Sequence, residues 1–182
     1  MESYDCEKYM LLALEQAELG LKSGEVPVGC IFLHEPSQTV LARSHNLTNQ
    51  TKNATTHCEI NCIREITANV SQVSDSQGKD ASQDDASRVL SECVLFVTVE
   101  PCIMCAYALH LAGIRKVVFG CENDKFGGNG SIISLNKFKK DEGMGYQVEK
   151  GIMKEEAVRL LQRFYEHGNE KAPEAKRQRK VL

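Results

Sequence analysis

The feature that most constrains the fold of this chain is an apolar stretch at residues 93–99 that runs into Glu-Pro-Cys-x-x-Cys. The stretch reads Cys-Val-Leu-Phe-Val-Thr-Val, which is typical of a strand buried on both faces. Residues 101–114 predict a helix with Pro101 in its first turn, and residues 116–120 predict the next strand. This order predicts a parallel, right-handed β-α-β unit.

Further helices and strands are predicted around this unit. Apolar side chains recur at helical spacing over residues 7–22, which predicts an amphipathic helix. Residues 25–33 and 39–44 predict two strands that form an antiparallel hairpin. Residues 57–70 predict another helix, and a final helix is predicted over about 153–166.

Two segments differ in composition from the rest of the predicted domain, residues 1–168. Residues 71–88 are rich in Ser, Asp and Gln and contain no aromatic residue, which predicts a disordered insertion. Residues 169–182 form a basic C-terminal tail, and this tail gives residues 170–182 a net charge of +3, whereas the whole chain carries −3. This asymmetry indicates a local contact with a polyanion rather than a nucleic-acid surface over the whole body. The basic residues of the tail are Lys171, Lys176, Arg177, Arg179 and Lys180.

The sequence also limits the compartment. A chain of 182 residues is long enough for one domain with a substantial core. No stretch approaches the roughly 20 apolar residues of a membrane span, and the N-terminus lacks the pattern of a signal peptide. We therefore expect a cytoplasmic or nuclear protein without membrane contact, whose eight cysteines are thiols or metal ligands.

Cys102 and Cys105 alone leave their chemistry open. Their spacing at a helix start places both sulfur atoms on one face, where the backbone N–H groups lower thiolate pKa values. The same arrangement suits a redox pair, half of a structural zinc site, or two ligands of a catalytic metal.

A second motif, His57-x-Glu59, favours the catalytic metal. His57, Cys102 and Cys105 would hold one zinc ion and leave the fourth tetrahedral position for water. Zinc lowers the pKa of such a water from ~15.7 to about 7. Glu59, which is not a ligand, would then move the proton of the water to the substrate as general base and general acid. Together the two motifs form the signature of zinc-dependent nucleobase deaminases.

Two other interpretations explain less of the sequence. Cys58 and Cys62 could join the two later cysteines in a structural four-cysteine zinc site, but His57 and Glu59 would then have no role. A thioredoxin-like redox pair needs no His-x-Glu motif elsewhere in the chain.

Several segments together resemble the catalytic subunits of eukaryotic tRNA-specific adenosine deaminases. The resemblance covers most of residues 5–175 and implies a three-layer α/β/α, cytidine-deaminase-like fold with a central mixed sheet. It implies one Zn²⁺ per chain and hydrolytic deamination of adenosine to inosine at the wobble position, the first anticodon nucleotide of tRNA. The segments that carry it are EVPVG, HCE, VTVEPCIMCA, VVFGCENDKFGGNGS and GNEKAPEAK.

The same resemblance implies partners and substrate contacts. The working enzyme would be a heterodimer with a related, catalytically inactive deaminase subunit, and the basic tail would contact tRNA. The tail could also be a nuclear-localisation patch. Substrate contacts are implied for Val28, Asn46, Cys58 and Pro101. Cys58 is a departure, because the family usually has alanine at this position.

Two alternative functions share parts of this pattern. A zinc deaminase of free cytidine, guanine or related nucleosides and nucleotides would have the same metal site, but would need neither the basic tail nor a dissimilar partner. A zinc-stabilised interaction domain would not need Glu59.

Overall fold

The computed structural model describes residues 4–76, 83–138 and 145–167, and its centre is a mixed sheet of five strands in the order β2-β1-β3-β4-β5. β1 pairs antiparallel with β2 and β3, whereas β3, β4 and β5 run parallel to one another. The predicted hairpin and the predicted parallel β-α-β unit are therefore both present. The strands are β1 (Gly29–His34), β2 (Thr39–His45), β3 (Cys93–Val99), β4 (Lys116–Cys121) and β5 (Gln147–Lys150).

Helices cover both faces of the sheet. The described residues contain α1 (Cys6–Lys22), α2 (Thr48–Thr51), α3 (Cys58–Ser76), α4 (Gln83–Ser91), α5 (Ile103–Ala112), α6 (Lys154–His167) and a 3₁₀ turn at Leu135–Lys137. Ile31 and Leu33 point into the core under α1 and α6, whereas Cys30 and Phe32 point into the core under α3, α4 and α5. The predicted three-layer α/β/α fold with a mixed central sheet is confirmed. None of the helices in this part of the chain is long and apolar enough to cross a membrane.

Helix α1 shows how local sequence fixes one layer. The side chain of Asp5 accepts hydrogen bonds from the backbone N–H groups of Glu7 and Lys8, which caps the helix. Gly29 lets α1 lie directly against β1, since a Cβ atom there would come within 2.2 Å of the backbone nitrogen of Ala17. The close contact therefore fixes α1 against the start of β1, directly after Val28, which lines the cavity described below.

The segment predicted as a disordered insertion differs from that prediction at both of its ends. Residues 71–76 continue α3, and residues 83–88 belong to α4, while residues 77–82 lie outside the described residues. Ala86 and Leu90 are buried on one side of α4, and Leu90 belongs to the core cluster. One narrow apolar stripe is enough to dock a short helix, and an average over a Ser- and Asp-rich segment does not reveal it.

Helix α5 begins two residues later than predicted. Cys102 is its N-cap in an extended conformation, so the predicted position of Pro101 in the first turn is wrong. The cause is a neighbouring loop that binds the backbone here. The N–H of Ile103 donates to the carbonyl of Phe126 at 2.9 Å, and the N–H of Gly128 donates to the carbonyl of Pro101 at 2.9 Å.

Candidate metal and catalytic site

The three predicted metal ligands converge from two helix starts. His57 directly precedes α3, Cys102 caps α5, and Cys105 lies in the first turn of α5. The Nδ1 atom of His57 is 3.6 Å from the sulfur of Cys102 and 3.5 Å from the sulfur of Cys105. A tetrahedral zinc ion with ordinary Zn–S and Zn–N bonds would place such atoms about 3.6 Å apart. Among the residues that the structure describes, this is the one cluster of three or more His, Cys, Asp or Glu side chains whose ligand atoms lie close enough together to hold a metal ion.

Protonation of these ligands also fits a metal site. Hydrogen bonds from Cys105 and from His57 lower the pKa of the Cys102 thiol to about 4. The pKa of Cys105 is raised by its hydrogen bond to Cys102 and by burial, and the hydrogen bond to Cys102 raises the pKa of His57. The ligand set therefore retains protons that a cation must displace, and metal binding will weaken as the pH falls.

Glu59 lies in the first turn of α3, and its side chain reaches the cavity beside His57 and Cys102. It is only 3% exposed, and burial raises the pKa of its carboxyl group. The thiol of Cys58 donates a hydrogen bond to its Oε2 atom at 3.2 Å. A buried carboxyl group with a raised pKa next to a metal site is suited to accept and return a proton.

Asn46 fixes the start of the helix that carries His57 and Glu59. Its Oδ1 atom accepts the backbone N–H of Cys58 at 3.1 Å, and its Nδ2 atom donates to the carbonyl of Val26 at 3.3 Å. Asn46 therefore satisfies one of the N–H groups that a helix start leaves without a partner. Asn46 also lines the cavity, so the same side chain contacts both the cavity and the start of α3.

A cavity of about 420 Å³ opens beside the candidate ligands. Of the four residues expected to contact substrate, Val28 and Asn46 line it. Cys58 is fully buried and Pro101 is also buried, and neither belongs to the lining. The tail residues Lys171, Lys176, Arg177, Arg179 and Lys180 lie outside the described residues.

Most of one cavity wall was not predicted from the sequence. Residues 122–131, here called the wall loop, follow the C-terminal end of β4 and supply five consecutive lining residues, 122–126. Among them Phe126 is 62% exposed. The signal was present as the glycine-rich run after a parallel strand, because ligands in α/β sheets bind at the carboxyl ends of the strands.

The opposite wall is held by another buried carboxylate. Glu25 is fully buried and accepts the backbone N–H groups of Asn49 at 2.9 Å and Gln50 at 2.7 Å. It also accepts the hydroxyl of Thr48, which lines the cavity. Glu25 therefore holds this part of the cavity lining in place from inside the protein.

Comparisons with known proteins agree with this geometry. Residues 3–121 match the family described as the cytidine and deoxycytidylate deaminase zinc-binding region. The chain is 38% identical over 177 residues to tRNA-specific adenosine deaminase 2 of Xenopus tropicalis, which covers 97% of this chain and 98% of that protein. It is 39% identical over 175 residues to the tRNA-specific adenosine deaminase subunit tad2 of Schizosaccharomyces pombe, covering 95% of this chain and 41% of that protein.

A solved structure has a similar fold. It comes from a study of A-to-I editing by tRNA:A34 deaminases at the wobble position of transfer RNA. The TM-score is 0.65 at 29% sequence identity, and the match covers 85% of this chain and 99% of the other.

Proposed function

The chain belongs to the cytidine and deoxycytidylate deaminase zinc-binding family, and from this premise we propose that it converts adenosine to inosine at the first anticodon nucleotide of tRNA. The observation that carries the proposal is the similarity, over nearly the whole chain, to proteins named tRNA-specific adenosine deaminase. The cluster of His57, Cys102 and Cys105 beside Glu59 supports the hydrolytic chemistry.

The residues of the site divide the reaction between them. His57, Cys102 and Cys105 would hold the zinc ion, which when bound would supply a water molecule of lowered pKa as the nucleophile. Glu59 takes a proton from this water, donates it to the ring nitrogen of adenine, and later assists departure of the amine. A C–O bond forms at the ring carbon, the C–N bond breaks, and ammonia leaves.

The shape of the cavity supports a single unpaired base as the substrate. A cavity of about 420 Å³ has room for one nucleobase turned out of its stack. An anticodon loop presents unpaired bases that can be turned outward at small cost. The exposed ring of Phe126 at the cavity supplies an aromatic surface on which a flanking base can stack.

We further propose that the basic tail contacts phosphates of the tRNA. Its support is the charge asymmetry of the sequence, since five Lys and Arg residues are concentrated in residues 171–180. Deletion of residues 171–182 should weaken tRNA binding and flatten its salt dependence, while the zinc content stays unchanged. Equal affinity of both proteins across a salt titration would exclude this role. The compartment that we propose for this protein is the cytoplasm or the nucleus.

The partner that we propose is a related deaminase chain that lacks the catalytic glutamate. Its support is the name of the fission-yeast relative, a subunit, together with an exposed apolar surface beside the wall loop. Exposed apolar patches of this kind mark protein interfaces. The surface comprises Ile103, Met104, Tyr107 and Leu111 of α5 with Ile132, Ile133 and Phe138.

The partner proposal predicts a specific loss of association. Tyr107→Asp and Leu111→Asp should separate the accompanying deaminase chain from this protein without loss of zinc. Leu19→Asp is the matched control, because Leu19 is similarly exposed on α1, in the helix layer on the other side of the sheet. Co-purification that survives both α5 substitutions would contradict the proposed surface.

The proposed reaction can be tested in cells. The protein is depleted conditionally, cDNA is sequenced from mature tRNAs, and the first anticodon position is scored, where inosine is read as guanosine. The proposal expects loss of this signal and its restoration by the wild type, but not by Glu59→Ala. Persistence of the signal after thorough depletion would contradict the tRNA substrate and direct the search to free nucleosides.

A further inference from the structure

Glu100 is a buried carboxylate that the proposed chemistry does not use. It follows the last residue of β3, precedes Pro101 and is 2% exposed. It accepts the backbone N–H groups of Asn123 at 3.0 Å, Asn129 at 2.8 Å and Ser131 at 3.1 Å, and it also accepts the hydroxyl of Ser131. All of these donors belong to the wall loop, so both carboxylate oxygens are occupied by that loop.

The wall loop is attached a second time, to the backbone that carries the metal ligands. Phe126 accepts the N–H of Ile103, the first residue of α5, and Gly128 donates to the carbonyl of Pro101. Residues Cys102 and Gly127 form an isolated β-bridge between these two attachments. These contacts set the position of the wall loop relative to Cys102. The buried side chain of Glu100 holds the same loop from inside the protein.

Gly127 shows how closely the loop surrounds the carboxylate. A Cβ atom at this position would lie 2.5 Å from Cδ of Glu100 and 2.5 Å from its Oε2 atom. Such contacts are far shorter than van der Waals distance, so only glycine permits the backbone to close around this side chain. The loop is consequently shaped around one acceptor and not merely placed near it.

We propose that Glu100 is a positioning residue that holds the wall loop at a fixed distance from the metal ligands and so orients the target base against Glu59. Its part in orienting the base rests on the proposed function, whereas its hold on the loop does not. A displacement of about 1 Å between reacting groups can lower a rate by about a hundredfold. Four donors on one buried acceptor suit this task, since hydrogen bonds to a charged group are stronger than neutral ones.

The test compares Glu100→Gln and Ser131→Ala with the wild type, in the full chain purified with its accompanying chains. Glutamine keeps the shape but turns an NH₂ group toward N–H donors, so the amides of residues 123, 129 and 131 should exchange with deuterium at least about tenfold faster. The value of kcat on tRNA should fall about tenfold to hundredfold, with one zinc retained. Ser131→Ala removes only one donor and should lower kcat a few-fold.

Glu149→Gln is the matched control for general loss of stability. It breaks the ion pair of Glu149 with the largely buried Lys116 at the start of β4, the end opposite the cavity. Its kcat and the exchange of the wall loop should equal those of the wild type.

Three results would overturn the proposal. Unchanged exchange of the three amides in Glu100→Gln would show that the carboxylate does not hold the loop, even if the protein proved not to act on tRNA. A loosened loop with wild-type kcat would show that its position is unimportant for the reaction. Loss of zinc in proportion to loss of activity would show that Glu100 acts through the metal ligands.

Discussion

Glu59 and Glu100 both line the cavity and are almost equally buried, at 3% and 2% exposure, yet their surroundings are opposite. Glu100 accepts three backbone N–H groups and one hydroxyl. Glu59 receives one hydrogen bond from its own backbone N–H and one from the weakly donating thiol of Cys58, and burial raises its pKa. Burial alone therefore does not distinguish a proton carrier from a structural acceptor.

The difference follows from the free energy of burying a charge. A carboxylate removed from water must either gain strong donors or bind its proton more tightly. A carboxylate whose oxygens are all occupied has no acceptor position left for a proton from water. Glu59 keeps that position, which makes it useful in proton transfer and also makes its charge unfavourable for folding.

The largest effect should come from replacing Glu59, the proposed proton carrier. Glu59→Gln should lower kcat by about 10⁴-fold, because the same group is proposed to act as base and acid. Its zinc content should equal that of the wild type, since Glu59 is outside the ligand cluster. Single-turnover deamination and zinc analysis measure both quantities. A loss no greater than that of Glu100→Gln would remove the functional distinction between the two carboxylates.

Glu100→Gln should reduce the stability of the fold more than Glu59→Gln, the reverse of their order of effect on kcat. Glu100→Gln should destabilise the protein by about 3 kcal/mol at pH 7, because several hydrogen bonds to a charged acceptor are weakened at once. Urea unfolding of the metal-free protein measures this free energy. Glu59→Gln should cause no comparable loss, and an equal loss from both substitutions would contradict the contrast in hydrogen bonding.

The pH dependence of unfolding should separate the two carboxylates further. The folded protein binds the Glu59 proton more tightly than the unfolded chain, so the free energy of unfolding falls as the pH rises from the unfolded-chain value, about 4.3, through the raised pKa. In Glu59→Gln this decrease in the free energy of unfolding with rising pH should be absent. The metal-free variant should therefore be more stable than the wild type at high pH and equally stable below about pH 4. Parallel stability curves across this range would show that the Glu59 pKa is not raised.

The smallest effect is expected at Cys58. Burial raises the pKa of its thiol to about 12, so it stays protonated and can donate to Glu59 at neutral pH. Cys58→Ala should change kcat by less than about threefold, since a thiol is a weak donor, and destabilise the fold by about 1 kcal/mol. Cys62→Ala is the matched control, because Cys62 is also buried on α3 and its sulfur lies 3.7 Å from that of Cys30. A large activity loss confined to Cys58→Ala would make this thiol part of the proton-transfer machinery.

Much of the fold was predictable, because its strands and helices have strong periodic patterns. The fully buried strand at residues 93–99, the hairpin and the amphipathic α1 all follow from apolar spacing. Strand β5 was missed because Gln147–Lys150 is short, has one apolar residue among its four and is never fully buried. Helix α4 was missed because its polar composition concealed two buried positions, Ala86 and Leu90.

The candidate site likewise has residues that the sequence predicted and one, Glu100, that it did not. His57, Glu59, Cys102 and Cys105 stand in compact motifs whose chemistry can be interpreted from spacing, and the structure brings the three ligands together. Zinc is confirmed as the cofactor by the zinc-binding family together with this cluster. Glu100 could not be interpreted in this way. Its partners lie 23 to 31 residues further along the chain, and only the return of the wall loop reveals them.

The most direct test of the account is a single-turnover assay on tRNA with the full chain and its accompanying chains. Wild type, Glu59→Gln and Glu100→Gln are loaded with zinc to the same stoichiometry, and inosine at the first anticodon nucleotide is followed over time. We predict rapid formation with the wild type, slower formation with Glu100→Gln and none above background with Glu59→Gln. Equal rates for wild type and Glu59→Gln, or no inosine from a zinc-loaded wild type, would contradict it.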